Sequence, residues 1–398
     1  MILSGLTAVG DDPILLVSTL FRADDNPNKV DLGVGVYKDA DGNTAILECV
    51  KKAEEYLVKH QETKAYLSPA GNPGYNQAIK ELLFGADHPA LKENRAVTFQ
   101  APGGTGAIRI GIDFLKTCKP DATVWVSDPT WPNHYGIVDA ANLKAEKYRY
   151  YNMKKGQFLF DEMMEDLGQA KEGDVVLLHG CCHNASGADL SKEQWNIVAD
   201  FMLERKLLPF IDIAYQGFAN GIEEDAYAVK LLCEKLPEAI VASSCSKNFA
   251  IYRDRAGAVT LVSGTEELSK VNASHALKIV RSIYSMPPDH GAAVVSHILN
   301  DDELRALWIK EVDEMRTRVK EMRQLFVKQI AEKAPSSDFG FIAKQNGMFS
   351  YLTLTPEQTQ ILINEHHIYM MANGRVNIAG LTLSNMDYVT DAIASLFN

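Results

Sequence analysis

A lysine in an unusual setting is the first chemical signal. The stretch "SSCSKNFAIYRDRAGA" fills positions 243–258, with Lys247 among small polar residues and Arg255 eight residues on. A surface lysine normally shares a helix face with other charges, so this one reads as placed. An amine in a desolvated or cationic pocket loses its proton more readily and becomes a nucleophile toward carbonyls. Arg255 can grip a phosphate through two parallel hydrogen bonds. Asp212 interrupts the apolar run "FIDIAYQGF" (210–218). A buried carboxylate needs a partner, so Asp212 reads either as a capping or salt-bridge aspartate or as the counter-ion of a bound cation. "PGGTG" (102–106) opens a helix whose bare amides suit a phosphate, although a plain strand-to-helix turn would look the same. "HGCCHN" (179–184) holds metal-ligand residue types. Adjacent cysteines of an extended chain point to opposite sides, and no CxxC or HxxxH spacing accompanies them. Cys181 and Cys182 therefore read as packing residues, and no metal site is assigned. Asn184, a neutral donor or acceptor at a strand end, is the better candidate.

The elements that must position these groups alternate. "AVTFQAP" (96–102), "TVWVSDP" (123–129), "DVVLLHG" (174–180), "LPFIDIAY" (208–215), "AIVASS" (239–244) and "GAVTLVS" (257–263) are short apolar runs ending in polar or turn residues. Helical repeats lie between several of them, as in 103–118 and 191–206, where Ser191 and Gln194 suit a capping box. Near-continuous apolar strands alternating with helices predict an α/β fold with a mostly parallel sheet. Ligands of such sheets bind at the carboxyl ends of the strands, where the candidate residues fall. The C-terminal part differs. Residues 301–333 form one long charge-laced helical pattern, expected to be kinked or to bridge two domains, and 339–398 read as a smaller α+β unit.

Composition bounds the partners. The chain has 398 residues, 46% hydrophobic and 23% charged, with a net charge of −12. It can bury a sizeable core without disulfides, and its charge disfavours nucleic acid or an anionic membrane surface. Any anionic ligand must be held by locally placed cations. Six scattered cysteines (49, 118, 181, 182, 233, 245) fit a reduced, cytoplasmic setting. The opening 21 residues lack a charged region and cleavage site of a signal peptide, and no apolar stretch reaches the ~18 residues of a membrane span. Lys247, Arg255, Asp212, Tyr215 and the helix-opening Gly104-Thr105 together suit one cofactor, pyridoxal 5′-phosphate: an aldehyde for the lysine, a phosphate for the arginine and helix end, a pyridine nitrogen for the aspartate. A nucleotide-binding α/β module relying on "PGGTG" is the alternative, although no dinucleotide fingerprint or P-loop is present.

The chain resembles class I pyridoxal-phosphate-dependent aminotransferases of the aspartate/aromatic amino-acid subgroup. The likeness runs from "DDPILL" (11–16) to the last helix and rests on "DLGVGVYKD", "SDPTWPNH", "LLHGCCHN", "DIAYQGF", "SSCSKNF", "GMFS" and "GRVNIAG". It implies the fold-type I architecture, with a large domain over 45–314 and a small domain from 1–44 and 315–398. It implies ping-pong transfer of an amino group between an L-amino acid and 2-oxoglutarate. Carried over by position, Lys247 joins the cofactor aldehyde and later carries the substrate Cα proton. Asp212, supported by His134, pairs with the pyridine nitrogen. Tyr215 and Asn184 bond the 3′-oxygen, and Trp131 stacks on the ring. Gly104, Thr105, Ser244 and Arg255 hold the phosphate, joined by Tyr66 of a second subunit. Arg375, Asn184 and Gly35 bind the substrate α-carboxylate, and Phe349 lines the small-domain side. Arg281, also from a second subunit, faces the substrate side chain. A homodimer with shared sites follows.

Three departures qualify the likeness. Asn184-Ala185-Ser186-Gly187 stands where the family usually has Asn-Pro-Thr-Gly. Met286 stands where aspartate-preferring members usually carry asparagine, which predicts use of both acidic and aromatic substrates. Ala250 replaces a common glycine. The family's proline follows a cis peptide, and the contacts of Asn184 predict that Asn184–Ala185 stays cis despite a cost of ~2.5–4 kcal/mol. A non-catalytic cofactor-binding module is the remaining rival, disfavoured because no DNA-binding segment is evident and no catalytic position is lost.

Overall fold

The structure, a computed structural model, describes residues 5–8, 10 and 13–397. The start of the "DDPILL" motif and part of the opening segment lie outside them. Among the described residues, seven strands form the central sheet: β1 (Ala96–Pro102), β2 (Thr123–Asp128), β3 (Lys144–Arg149), β4 (Val175–His179), β5 (Leu208–Ile213), β6 (Ala239–Ser244) and β7 (Ala256–Val262). Their spatial order is β1-β7-β6-β5-β4-β2-β3. Every pairing is parallel except those of β7, which runs against both neighbours. The predicted strands are found to within two residues at each end.

The apolar runs are continuous because the sheet is buried on both faces. Successive side chains of a strand point to opposite sides. Val175, Leu177, Phe210 and Ile240 accordingly join the core that packs on α1 (Gly103–Cys118) and α2 (Asn133–Ala140). Val176, Leu178, Ile211 and Val241 join the opposite core, which includes α3 (Lys192–Arg205). The capping box of Ser191 and Gln194 starts α3 as expected. A further helix, α4 (Glu266–Ile283), lies against α1 and β7.

The long pattern near the C-terminus is one unbroken helix, α5 (Asp302–Lys333). It has no internal proline or glycine to bend it. Near its start Trp308 is fully buried, stacks on Phe249 at 4.5 Å and donates Nε1–H to the carbonyl of Asn248 at 2.7 Å. Further along, the buried Arg323 guanidinium donates to the carbonyls of Gly347 at 2.7 Å and Phe349 at 3.2 Å. It thereby grips β8 (Phe349–Tyr351), which pairs with β9 (Arg375–Asn377). The N-terminal arm joins this unit. Val30–Asp31 pairs in parallel with Ile368–Tyr369, and Asn377 donates to the carbonyls of Val34 and Val36, both at 2.7 Å. Arm residues from near the start of the chain are thus held beside β9. The predicted strand-and-turn stretch 339–354 contains a 3₁₀ turn at Gly340–Lys344 before β8.

Candidate active site

The carboxyl ends of the parallel strands share one edge. In register, His179 of β4 faces Asp212 of β5, and Ser244 of β6 faces Gly257 of β7, next to Ala256 opposite Pro102 at the end of β1. A cavity of about 250 Å³ opens there, lined by Gly35, Gly104, Thr105, Trp131, Asn184, Asp212, Tyr215, Ser244, Lys247, Arg255, Phe349 and Arg375. Twelve residues singled out from sequence therefore converge on a single space. Ile108, Ala214 and Ser246 also line it; Ile108 and Ala214 were missed, and Ser246, within the strand-end stretch 244–247, was given no role. Ile108 sits one helical turn after Gly104 and Ser246 directly precedes Lys247, so spacing from named residues was the available signal.

Lys247 follows β6 in a turn, with its Nζ 4.7 Å from the centre of the Tyr215 ring. Burial, reinforced by Arg255 and opposed by Asp212, brings the ammonium pKa down to about 8. A usable fraction is then the neutral nucleophile near neutral pH. Asp212 is buried, and burial alone would push its carboxyl up. The hydrogen bond from His134 and the nearby positive groups outweigh that and bring it below the ordinary value. His134 Nε2 lies 3.1 Å from Asp212 Oδ2, and its Nδ1 lies 2.8 Å from Thr130 Oγ1, which also meets His179 Nε2 at 3.1 Å. His134 does not line the cavity; it orients the aspartate from behind. Burial holds the Tyr215 hydroxyl well above its usual range, so it stays a proton donor.

α1 begins at Gly103, and Gly104 and Thr105 of its first turn line the cavity, where amides without intrahelical partners are available. Arg255 sits beside that helix end, in the left-handed region at φ +55°. Its side chain donates to Ser246 Oγ at 3.4 Å and to the Tyr252 carbonyl at 3.1 Å. Gly103, with φ +72°, lets the guanidinium approach: a Cβ there would lie 2.4 Å from an Arg255 nitrogen. On the far side, Arg375 is buried, with its guanidinium 4.5 Å from the Phe349 ring centre and one nitrogen donating to the Gly33 carbonyl at 3.2 Å. Gly35 meets the same ring, since a Cβ there would stand 2.7 Å from Phe349 Cζ.

Two expectations are corrected here. Asn184–Ala185 is trans; the one cis peptide among the described residues is Asp128–Pro129. Without proline the trans form avoids the cis cost, and the turn is pinned by other means. Asp189 accepts the amides of Cys182 at 3.0 Å and His183 at 2.9 Å. His183, stacked on Tyr150, pairs with Ser127 and Ser186, and Gly187 donates back to the His183 carbonyl at 2.8 Å. Asn184 still reaches the cavity by this route. Secondly, Cys181 and Cys182 do not point to opposite sides. Cys182 has φ +50°, so the chain is not extended there, and the two sulfurs and the Asp225 carboxylate lie within 4.8 Å of one another.

Tyr66 and Arg281 stand apart from the cavity. Tyr66 is 93% exposed, and Arg281, near the end of α4, is exposed and bonded to Ser285. Tyr66 and Met286 line a separate surface cavity.

The residues present fit pyridoxal phosphate. Asn184 Oδ1 is buried without a hydrogen-bond partner among the described residues, as expected of a group awaiting a polar ligand. Cationic and amide donors, a carboxylate and an activated amine all line this one cavity. These are the three recognition features that cofactor requires.

Comparison with known proteins agrees. The family model described as aminotransferase class I and II matches residues 27–393. The chain is 47% identical over 391 residues to an aspartate aminotransferase of Escherichia coli, covering 98% of this chain and 99% of the relative. It is 45% identical over 389 residues to an aromatic-amino-acid aminotransferase of Pseudomonas aeruginosa, covering 98% and 97%. A crystal structure of an aromatic-amino-acid aminotransferase from Burkholderia pseudomallei, covalently bound to pyridoxal phosphate, superposes over 100% of both chains with a TM-score of 0.98 and 40% identity.

Proposed function

The chain belongs to the class I and II aminotransferases, and from that premise we propose how its own residues carry the reaction. It is a pyridoxal-phosphate-dependent transaminase that moves an amino group between an L-amino acid, aspartate or aromatic, and 2-oxoglutarate. The observation that carries the assignment of roles is the meeting of Lys247, the Asp212–His134 pair, Arg255 and Arg375 around one cavity.

Bound pyridoxal phosphate supplies an electron sink for the bond broken at the substrate Cα. Lys247 Nζ would be the nucleophile toward its aldehyde and, as a free amine, the base for the substrate Cα proton. Its lowered pKa supports both roles. Asp212, aimed by His134, would keep the pyridine nitrogen protonated. Tyr215 and Asn184 would bond the ring oxygen, and Trp131 would cover the ring face. Gly104, Thr105, Ser244, Ser246 and Arg255 would hold the phosphate. Arg375 takes the α-carboxylate through paired hydrogen bonds, with Asn184 and Gly35 beside it and Phe349 closing that side.

We further propose a homodimer in which Tyr66 and Arg281 serve the partner's site. Their exposure supports this, as does the apolar surface of Leu268, Val271 and Ile283 left uncovered on α4. A large domain over 45–314 and a small one from 1–44 and 315–398 is our division; the attachment of the arm to β9 supports it, and position 314 falls inside α5. The free cysteines, five of six buried, support a reducing, cytoplasmic location. Among the described residues no helix is long and apolar enough to cross a membrane.

A single spectrum tests the reading. The holoenzyme should show a visible cofactor band that bleaches on adding L-aspartate or L-glutamate. A band that persists would indicate a binding module, and no band would indicate a nucleotide binder.

A further inference from the structure

The cysteine pair lies behind the cofactor cavity and takes no part in the roles above. Cys181 and Cys182 follow β4 by two and three residues, and the left-handed Cys182 turns both sulfurs toward Asp225. All three ligand atoms belong to buried residues. Asp225 is held rigidly: its Oδ2 accepts the amides of Gly217 at 2.8 Å and Ala219 at 2.9 Å, and its Oδ1 accepts that of Asn220 at 2.8 Å. Each carboxylate oxygen retains electron pairs beyond those bonds. A second cavity of about 540 Å³, distinct from the cofactor cavity, is lined by Cys181, Asp189, Asn220 and Asp225 and gives a route inward.

We propose that Cys181, Cys182 and Asp225 form a site for a thiophilic divalent cation, Zn²⁺ or Cd²⁺, entered from this second cavity. Two sulfurs and a carboxylate are a suitable ligand set for such ions, and the cavity leaves a fourth position for water. Binding exchanges M²⁺ for two protons: both S–H bonds break, two metal–sulfur bonds form, and no oxidant is needed. The total charge is unchanged by the exchange. That matters here, because Asp189 and Arg323 are the other charged groups facing the sulfurs. The hydrogen bond with Cys182, and after it burial, raises the Cys181 thiol, and burial raises that of Cys182, so the cation must displace both protons. The site is independent of the transaminase reading, and it backs on to that site through the Cys182 Sγ contact of 3.9 Å with the Tyr215 carbonyl.

Chelator-treated holoenzyme titrated with Cd²⁺ should develop the ultraviolet thiolate-to-cadmium absorbance, saturating at about one ion per chain with about two protons released. Cys181→Ser combined with Cys182→Ser should abolish that absorbance and weaken binding more than about a hundredfold, since even outer-shell changes at metal sites cost about 10–100-fold. Cys118→Ser, removing the exposed thiol, should leave the titration unchanged. No absorbance in the parent protein, or the same absorbance in the double variant, would overturn the proposal. Zinc-edge X-ray absorption of the unmutated, Zn²⁺-loaded protein needs no variant to fold. It should show two sulfur neighbours at about 2.3 Å; a shell of nitrogen and oxygen alone would also overturn it.

Discussion

The floor of the candidate active site and its proposed rim are built in opposite ways. The floor hangs from strand ends of a sheet buried on both faces. Asp212, Ser244 and the start of α1 cannot move without disturbing two cores. The rim groups Tyr66 and Arg281 sit exposed on the outer surface, with no such support. Most of the groups proposed to hold the cofactor line one chain's own cavity, whereas Tyr66 and Arg281 lie apart from it. Under the proposed dimer, chemistry common to many substrates is placed on the buried sheet, and the group that would choose among substrates is placed at a seam between subunits.

Breaking the floor should cost most. Lys247→Ala removes nucleophile and base together and should lower kcat by about 10⁴-fold or more for every substrate. Measurement with both aspartate and phenylalanine checks that the loss is uniform. Breaking the rim should be selective. Arg281→Leu should lower kcat/KM for aspartate by about a hundredfold, the effect of losing about 3 kcal/mol of charge-assisted hydrogen bonding, while sparing phenylalanine. Equal losses for the two substrates would remove Arg281 from side-chain recognition. Mixing Lys247→Ala chains with Arg281→Ala chains sharpens the contrast. Each heterodimer should regain one working site of two, and no regain in verified heterodimers would mean that sites are not shared.

The smallest expected effect is a shift on the pH axis. Because the folded Lys247 pKa lies near 8, covalent capture of pyridoxal phosphate by the apoenzyme should speed up as pH rises through about 8 and then level off. Asp212 raises that pKa, so Asp212→Asn should move the midpoint lower. Stopped-flow absorbance across pH measures both, and an upward shift would contradict the assigned coupling.

Much of this was legible in the sequence because the strand-end rule is local. Apolar runs ending in Asp212, Ser244 or "PGGTG" locate a floor without any fold in hand. Arg375, Trp131 and Phe349 were different. An arginine in "NGRVN" reads as a surface residue, and only resemblance to a family gave it a role. Asn184–Ala185 and the cysteine pair were misread for one reason: a turn's geometry depends on which distant groups pin it. Asp189 and His183 keep the trans turn aimed at the cavity, and a positive φ at Cys182 is invisible in a residue type that rarely adopts it.

The unbroken α5 has a mechanical meaning. Its Trp308 is bonded to Asn248, the neighbour of Lys247, and its Arg323 holds the carbonyl of Phe349. One continuous helix therefore links the reactive amine's loop to the strand that brings Phe349 to the cavity. Fifteen residues separate the two anchors, roughly 22 Å of helix, so tilting the helix by about 5° about Trp308 carries Arg323 through about 2 Å. A rotation of the helix at one anchor would thus be magnified into a displacement at the other.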